Sequence, residues 1–133
     1  MIKIKNKNQD SKRSLKISND RIDYNLCKPI FSFEFLQDGF NFKNRKKLQN
    51  EHFKTFLYKI ETLSNLTWLD IIRLPRENGM ENIKLKIQTP NFITDDIQLK
   101  SIRFGKLERM IGYKMDNVFY LLYIDIDGSC YSH

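Results

Sequence analysis

Four side chains near the carboxyl end of the chain have the types needed to hold and cut a phosphodiester. Arg103 and Arg109 lie in short alternating stretches typical of β-strands, and Tyr131 and His133 follow them. A guanidinium can hold a phosphate through two hydrogen bonds, and a phenol or an imidazole can transfer the protons that cleavage requires. A basic sheet face that carries a tyrosine and a histidine therefore has the groups needed to bind and cut RNA.

The same four residues have structural interpretations that the sequence leaves open. Arg103 and Arg109 fit the solvated outer face of an antiparallel sheet. Tyr131 fits the end of a hydrophobic core, and His133 fits a frayed terminus. The sequence contains no glycine-rich phosphate loop and no HExxH helix, so no motif assigns the chemistry.

The overall charge favours a polyanionic partner. The chain has 23 lysines and arginines against 16 aspartates and glutamates, a net charge of +7. Lys106 and Lys114 lie close to the two arginine-bearing stretches and join Arg103 as candidate RNA-binding residues. A lysine- and asparagine-rich composition inherited from an AT-rich genome would give the same charge without such a partner, and the two explanations are compatible.

The sequence predicts a cytoplasmic protein that needs no membrane, metal or cofactor. The first residues are basic but lack the apolar core of a secretory signal, and no run approaches the roughly 18 apolar residues of a membrane span. Cys27 and Cys130 are too few for a disulfide framework, so reduced thiols are expected. Asp125 and Asp127 are followed by Gly128, which favours a turn over a metal site.

Regular patterns begin only after residue 28. Residues 1–28 show no sustained periodicity and predict a loosely ordered basic arm or a weak edge strand. Residues 29–133 are predicted to form a single α+β domain, because a chain of 133 residues with 41% hydrophobic content can bury one ordinary core.

Two helices are predicted in the middle of the chain. A stripe of apolar residues, Phe53 and Phe56 among them, predicts a helix over residues 43–63. Thr67 and the aspartate three residues later have the spacing of a capping box, which predicts a second, short helix over residues 68–74.

Patterns of period two predict strands on either side of the helices. Phe31, Phe33 and Phe35 predict a strand with three rings on one face. After the helices, alternation predicts an antiparallel meander over residues 83–87, 101–105, 108–114 and 118–126. The resulting layout is two helices packed on one face of an antiparallel sheet.

Residues 118–126 are apolar on both faces, which predicts a central strand that is paired on both sides. Simple alternation divides the strand into two sets: Phe119, Leu121 and Tyr123 on one face, and Tyr120, Leu122 and Ile124 on the other.

The final strands resemble two groups of proteins. Arg109-Met-Ile-Gly112-Tyr, followed by the apolar run from Val118 to Asp125, resembles the RelE/YoeB/HigB-like toxins, in which an arginine-bearing strand precedes a very apolar strand and a short C-terminal piece. The R-x-I-G, D-x-D and Y-x-H patterns also resemble a group of small uncharacterised proteins of Gram-positive bacteria and their mobile elements. The second resemblance covers about residues 30–133 and is the closer of the two in sequence.

The toxin resemblance implies a RelE-like layout and an endoribonuclease that cuts mRNA on the ribosome, through attack of the ribose 2′-hydroxyl, with an antitoxin as partner. In such an enzyme His133 or Tyr131 would transfer protons while the arginines hold the scissile phosphate. The candidate catalytic residues are Arg109, Tyr131 and His133, and the candidate RNA-binding residues are Arg103, Lys106 and Lys114.

A binding protein without catalysis is the competing class. Phages and mobile elements use small basic α+β proteins to inhibit host nucleic-acid complexes, in the manner of an anti-CRISPR protein. A DNA-binding regulator is disfavoured because the helix pair lacks a basic recognition helix. Both main hypotheses predict a partner that is RNA or a ribonucleoprotein, such as the ribosome or a host defence complex.

Overall fold

One mixed β-sheet organises the computed structural model, which describes residues 22–43 and 45–131. In chain order its strands are β1 (Ile30–Ser32), β2 (Met80–Ile83), β3 (Leu99–Arg103), β4 (Arg109–Met115) and β5 (Val118–Asp125). Their order across the sheet is β1-β5-β4-β3-β2. The predicted α+β layout is confirmed, with two differences. β1 pairs in parallel with β5, whereas the other strands pair antiparallel. The strand predicted over residues 83–87 lies earlier, at Met80–Ile83.

Two helices of the described chain, α1 (Asn50–Leu63) and α2 (Trp68–Ile72), pack on one side of the sheet. The capping box predicted for α2 is present, since the Thr67 hydroxyl accepts from the Asp70 backbone N–H at 3.2 Å. The prediction that α1 begins near residue 43 is wrong. Lys47 has a positive φ of 70°, and the first turn starts only where the Nδ1 of His52 accepts from the Gln49 backbone N–H at 3.0 Å.

The helix-covered face of the sheet closes a core of aromatic and aliphatic side chains. Phe56 and Trp68 are 2% and 0% exposed, and the Trp68 indole N–H donates to the Asn117 carbonyl at 2.9 Å. Phe53, on the same apolar stripe of α1, is 37% exposed, so the stripe is only partly buried. The strands contribute the remaining fully buried side chains, among them Ile102, Met110, Phe119, Leu121 and Ile124.

The opposite, loop-covered face of the sheet carries a second apolar cluster, which no helix of the described chain covers. Tyr120 and Tyr123 from the sheet pack there against the loop residues Phe35 and Phe40, respectively. The segments before α1 and between β2 and β3 supply most of the cover. The strand patterns at β4 and β5 are apolar on both sides because both faces are buried.

β5 is the central strand that its composition predicts, with β1 and β4 as its neighbours. The register between β4 and β5 shifts at one point, so that Leu122 and Tyr123 both join the cluster on the loop-covered face. Ile124 then returns to the helix-covered face. The predicted alternation holds for Phe119 and Leu121 and is wrong from Tyr123 onward, because a β-bulge changes the phase.

Three phenylalanines predicted to share one strand face do not share it. β1 ends at Ser32, after which the chain turns. Phe31 packs in the core under the helices, Phe33 is 49% exposed, and Phe35 lies on the loop-covered side. The period of two in this stretch therefore does not reflect a continuous strand.

Most of the predicted basic arm, residues 1–21, lies outside the described residues, as does His133. Within the predicted arm, Tyr24–Leu26 form a 3-10 turn and Cys27 is buried. The Cys27 carbonyl accepts from the Trp68 backbone N–H at 3.0 Å, so the packed part of the chain includes this residue. Over the described ranges, none of the helices has the length and apolarity required to cross a bilayer.

Candidate functional site

Arg103 and Arg109 lie directly opposite each other on β3 and β4. Opposite residues of an antiparallel pair extend from the same face of the sheet. That face is the loop-covered one, since Ile111, two residues after Arg109, belongs to its cluster. The sequence therefore predicted correctly that the two arginines lie on neighbouring strands. Their side chains nevertheless have different surroundings.

The Tyr131 hydroxyl is the centre of a buried hydrogen-bond network. It accepts from the Nε of Arg109 at 3.2 Å, lies 2.8 Å from the Oγ of Ser101 and donates to the Oε2 of Glu81 at 3.2 Å. A phenol has one proton and a carboxylate only accepts, so Ser101 is the donor to Tyr131. Tyr131 and Arg109 are 4% and 3% exposed. The network thus joins β2, β3, β4 and the segment after β5.

Arg109 also holds the turn between β3 and β4. Its second guanidinium nitrogen donates to the carbonyl of Lys106 at 3.1 Å and to that of Glu108 at 3.3 Å. The Phe104 backbone N–H closes the same turn on the Glu108 carbonyl. Buried Arg109 therefore holds both Tyr131 and the β3–β4 turn in place through its hydrogen bonds.

Asp125 positions Tyr131 from the other side. Its carboxylate is fully buried and accepts from the backbone N–H groups of Gly128 at 3.0 Å, Ser129 at 3.2 Å and Cys130 at 3.1 Å. The predicted turn is thus present, and it leads the chain back toward the sheet. Burial raises the pKa of the Cys130 thiol to about 12, so this cysteine is a neutral core residue.

A cavity of about 510 Å³ opens beside the edge strand β2 on the loop-covered face. Tyr131 and Glu81 from the network reach its wall. We call it the cationic cavity, because its lining includes four cationic side chains and one carboxylate: Arg76, Lys84, Lys86, Arg103 and Glu81. Its volume is within the range of small-molecule sites, about 300 to 1,000 Å³.

Arg103 also lines this cavity. Within residues 22–43 and 45–131, the Nε atoms of Arg103 and Arg45 are buried without a hydrogen-bond partner. Arg76 contributes less free charge, because its Nε forms an ion pair with Glu81 at 3.4 Å.

The remaining predicted RNA-binding residues lie elsewhere. Lys106 is exposed in the β3–β4 turn. Lys114 lies on the helix-covered face, with its ammonium 5.5 Å from the centre of the Trp68 ring, and burial lowers its pKa. The structure therefore does not bring Lys114 together with Arg103.

Sequence reasoning missed Glu81, Ser101, Lys84 and Lys86 as members of this site. The lysines had a visible signal, since they alternate with Ile83 and two further apolar residues beside a strand pattern. Glu81 and Ser101 had none, because they meet Tyr131 across 50 and 30 residues of sequence.

Comparison of the chain with models of protein families, with curated proteins and with solved structures finds no match.

Proposed function

We propose that the protein binds RNA by holding backbone phosphates in the cationic cavity. The observation that carries the proposal is the lining of this cavity, which has four cationic side chains against one carboxylate. The charge of a phosphate offsets that excess of cations, and a guanidinium can donate two hydrogen bonds to its oxygens. The net charge of +7 favours the approach of such a partner at long range.

Several cations around one cavity favour a polymer of phosphates over a single small anion. Lys84 and Lys86 are exposed and follow each other along the chain at the end of β2. Both lysines line the same cavity as Arg103, so the three side chains can contact more than one phosphate of a strand.

The salt dependence of binding tests this proposal. Replacing Lys84, Lys86 and Arg103 together by glutamine removes three phosphate contacts, so the slope of log affinity against log salt for single-stranded RNA should become less steep by about two. The measurement is fluorescence anisotropy of a labelled oligonucleotide at several salt concentrations.

A matched control removes the same charge at another place. Lys28, Lys43 and Lys46 are exposed and line neither the cationic cavity nor the cavity next to it. Their triple glutamine variant should retain most of the slope. An equal loss in both variants would show that binding follows net charge alone and would contradict the site.

An endoribonuclease of the RelE-like kind is the second candidate. The observation that favours it is the Tyr131 hydroxyl, which reaches the cavity wall and donates to Glu81 at 3.2 Å while accepting from Arg109. In this function Arg103 holds the scissile phosphate, Glu81 and Tyr131 move protons during attack of the ribose 2′-hydroxyl, and Arg109 holds Tyr131 in place. The partners would be ribosome-bound mRNA and an antitoxin.

A cleavage assay separates the two candidates. If the protein is a ribonuclease, Glu81→Gln should slow cleavage by about a hundredfold while RNA affinity is retained, since general acid–base catalysis contributes on that scale. The Tyr131→Phe variant and deletion of His133 should also slow it. Intact free and ribosome-bound mRNA after incubation with the wild-type protein, together with harmless expression, would leave binding, including inhibition of a host ribonucleoprotein complex, as the function.

A further inference from the structure

A second cavity, of about 550 Å³, lies on the other side of Arg103. It is bounded by α1, by the segment before β2 and by the residues that follow β3. Arg103 belongs to the linings of both cavities, so the two cavities are neighbours in the fold. We call the second one the aromatic cavity, after Tyr58 and Phe104 in its lining.

The two cavities differ in charge. In the aromatic cavity Lys54 and Lys59 are balanced by Glu51 and Glu77, which leaves Arg103 as the excess. The Lys59 ammonium is already engaged, because it donates to the Asn78 carbonyl at 2.8 Å. The aromatic cavity is therefore suited to an uncharged, planar group, whereas the cationic cavity is suited to phosphate.

Tyr58 provides an exposed ring at this place. It is 72% exposed on α1, so its ring is available for contact and contributes little to the core. Phe104, in contrast, is 7% exposed and forms part of the core wall. Exposed aromatic side chains beside a basic groove are a common way to hold the unpaired bases of a single strand.

We propose that the two cavities bind one single strand of RNA, with a phosphate in the cationic cavity and an adjacent unpaired base in the aromatic cavity, stacked on Tyr58. This inference rests on the proposed RNA-binding function and adds the single-stranded form and the base contact to it. Arg103 lies at the junction, where a ribose links the base to its phosphate. A duplex keeps its bases stacked inside, so it cannot fill the aromatic cavity.

The test compares Tyr58→Ala with Tyr58→Phe, which keeps the ring and removes only the hydroxyl. Tyr58→Ala should weaken binding of a single-stranded oligouridylate by about fivefold or more, and Tyr58→Phe should bind like the wild type. An abasic oligonucleotide of the same length should bind the wild-type protein and Tyr58→Ala equally, because it has no base to stack.

Each other outcome has a definite meaning. If Tyr58→Ala binds the oligouridylate as tightly as the wild type while the Lys84, Lys86 and Arg103 variant loses affinity, the base contact is refuted and the phosphate site stands. If the wild-type protein binds no RNA, both proposals are refuted. If an acidic peptide of equal charge displaces the RNA with equal affinity, the site recognises charge alone and the base contact is again refuted.

Discussion

Hydrocarbon and aromatic side chains close the helix-covered face of the sheet, whereas the loop-covered face buries charged and hydroxyl-bearing side chains beside its apolar cluster. The buried polar and charged side chains of the described chain, Ser101, Arg109 and Asp125, all belong to the loop-covered side. On the helix-covered face the buried Trp68 indole N–H is paired with the Asn117 carbonyl. The two faces therefore differ in the kinds of side chain that they bury.

The two faces place different demands on the sequence. A hydrocarbon core needs only shape and volume, and many sequences can supply both. A buried polar network requires every donor and acceptor to be paired, which costs stability unless each partner is in place. The network on the loop-covered face holds Tyr131 and Glu81 in fixed positions at the wall of the cationic cavity.

The largest expected effect tests the hydrocarbon side of the comparison. Trp68→Ala or Phe56→Ala should lower the free energy of unfolding by about 3 to 5 kcal/mol, because each ring is almost fully buried. Phe53→Ala should cost less than half as much, since that ring is 37% exposed. Urea denaturation measures all three. Equal costs at Phe53 and Phe56 would contradict the observed burial.

A smaller effect tests the polar side. Tyr131→Phe keeps the ring and removes the hydroxyl that joins Arg109, Ser101 and Glu81. Buried groups left without a partner should lower the free energy of unfolding by about 1 to 3 kcal/mol. Tyr58→Phe, at an exposed position, is the control and should change stability by less than about 0.5 kcal/mol. A neutral Tyr131→Phe would mean that the network contributes nothing to the fold.

The smallest expected effect concerns pH. Burial opposes ionisation of Asp127, but hydrogen bonds with Ser129 and the charge of Arg45, 3.0 Å away, outweigh it and hold the Asp127 pKa below its ordinary value. A lowered folded-state pKa gives stability that is present above the unfolded pKa, about 3.9 for aspartate, and lost as the pH falls further.

Asp127→Asn should therefore reduce the free energy of unfolding at pH 7 by at most about 1 kcal/mol, and the difference from the wild type should shrink on acidification below about pH 4. Thermal denaturation across this pH range measures it. A difference that grows on acidification would contradict the assigned shift. Phe56→Ala provides the comparison, because its cost should not vary with pH in this way.

Local signals in the sequence were sufficient for part of the fold. Thr67 and Asp70 are three residues apart, so the cap of α2 could be predicted directly. The start of α1 could not, because it depends on the left-handed conformation of Lys47 and on a histidine acting as a cap acceptor. The bulge at Leu122 also had no local sign, since a run that is apolar on both faces is compatible with either phase.

The candidate site, like the fold, could be predicted from the sequence only in part. The pairing of Arg103 with Arg109 could be predicted because both lie in strands joined by a short turn. Their different roles could not, since one is saturated by Tyr131 and the turn carbonyls and the other has an unpaired Nε. Only the fold brings Glu81 to Tyr131, because 50 residues separate them in sequence.

The most direct test of the central claim, that RNA lies on the loop-covered side at the β2 edge, is lysine footprinting of the complex. Acetylation of each lysine is measured by mass spectrometry with and without a saturating single-stranded oligonucleotide. The account predicts several-fold protection of Lys84 and Lys86, with Lys28 and Lys46 unchanged. Protection of Lys28 and Lys46 while Lys84 and Lys86 remain reactive would contradict it.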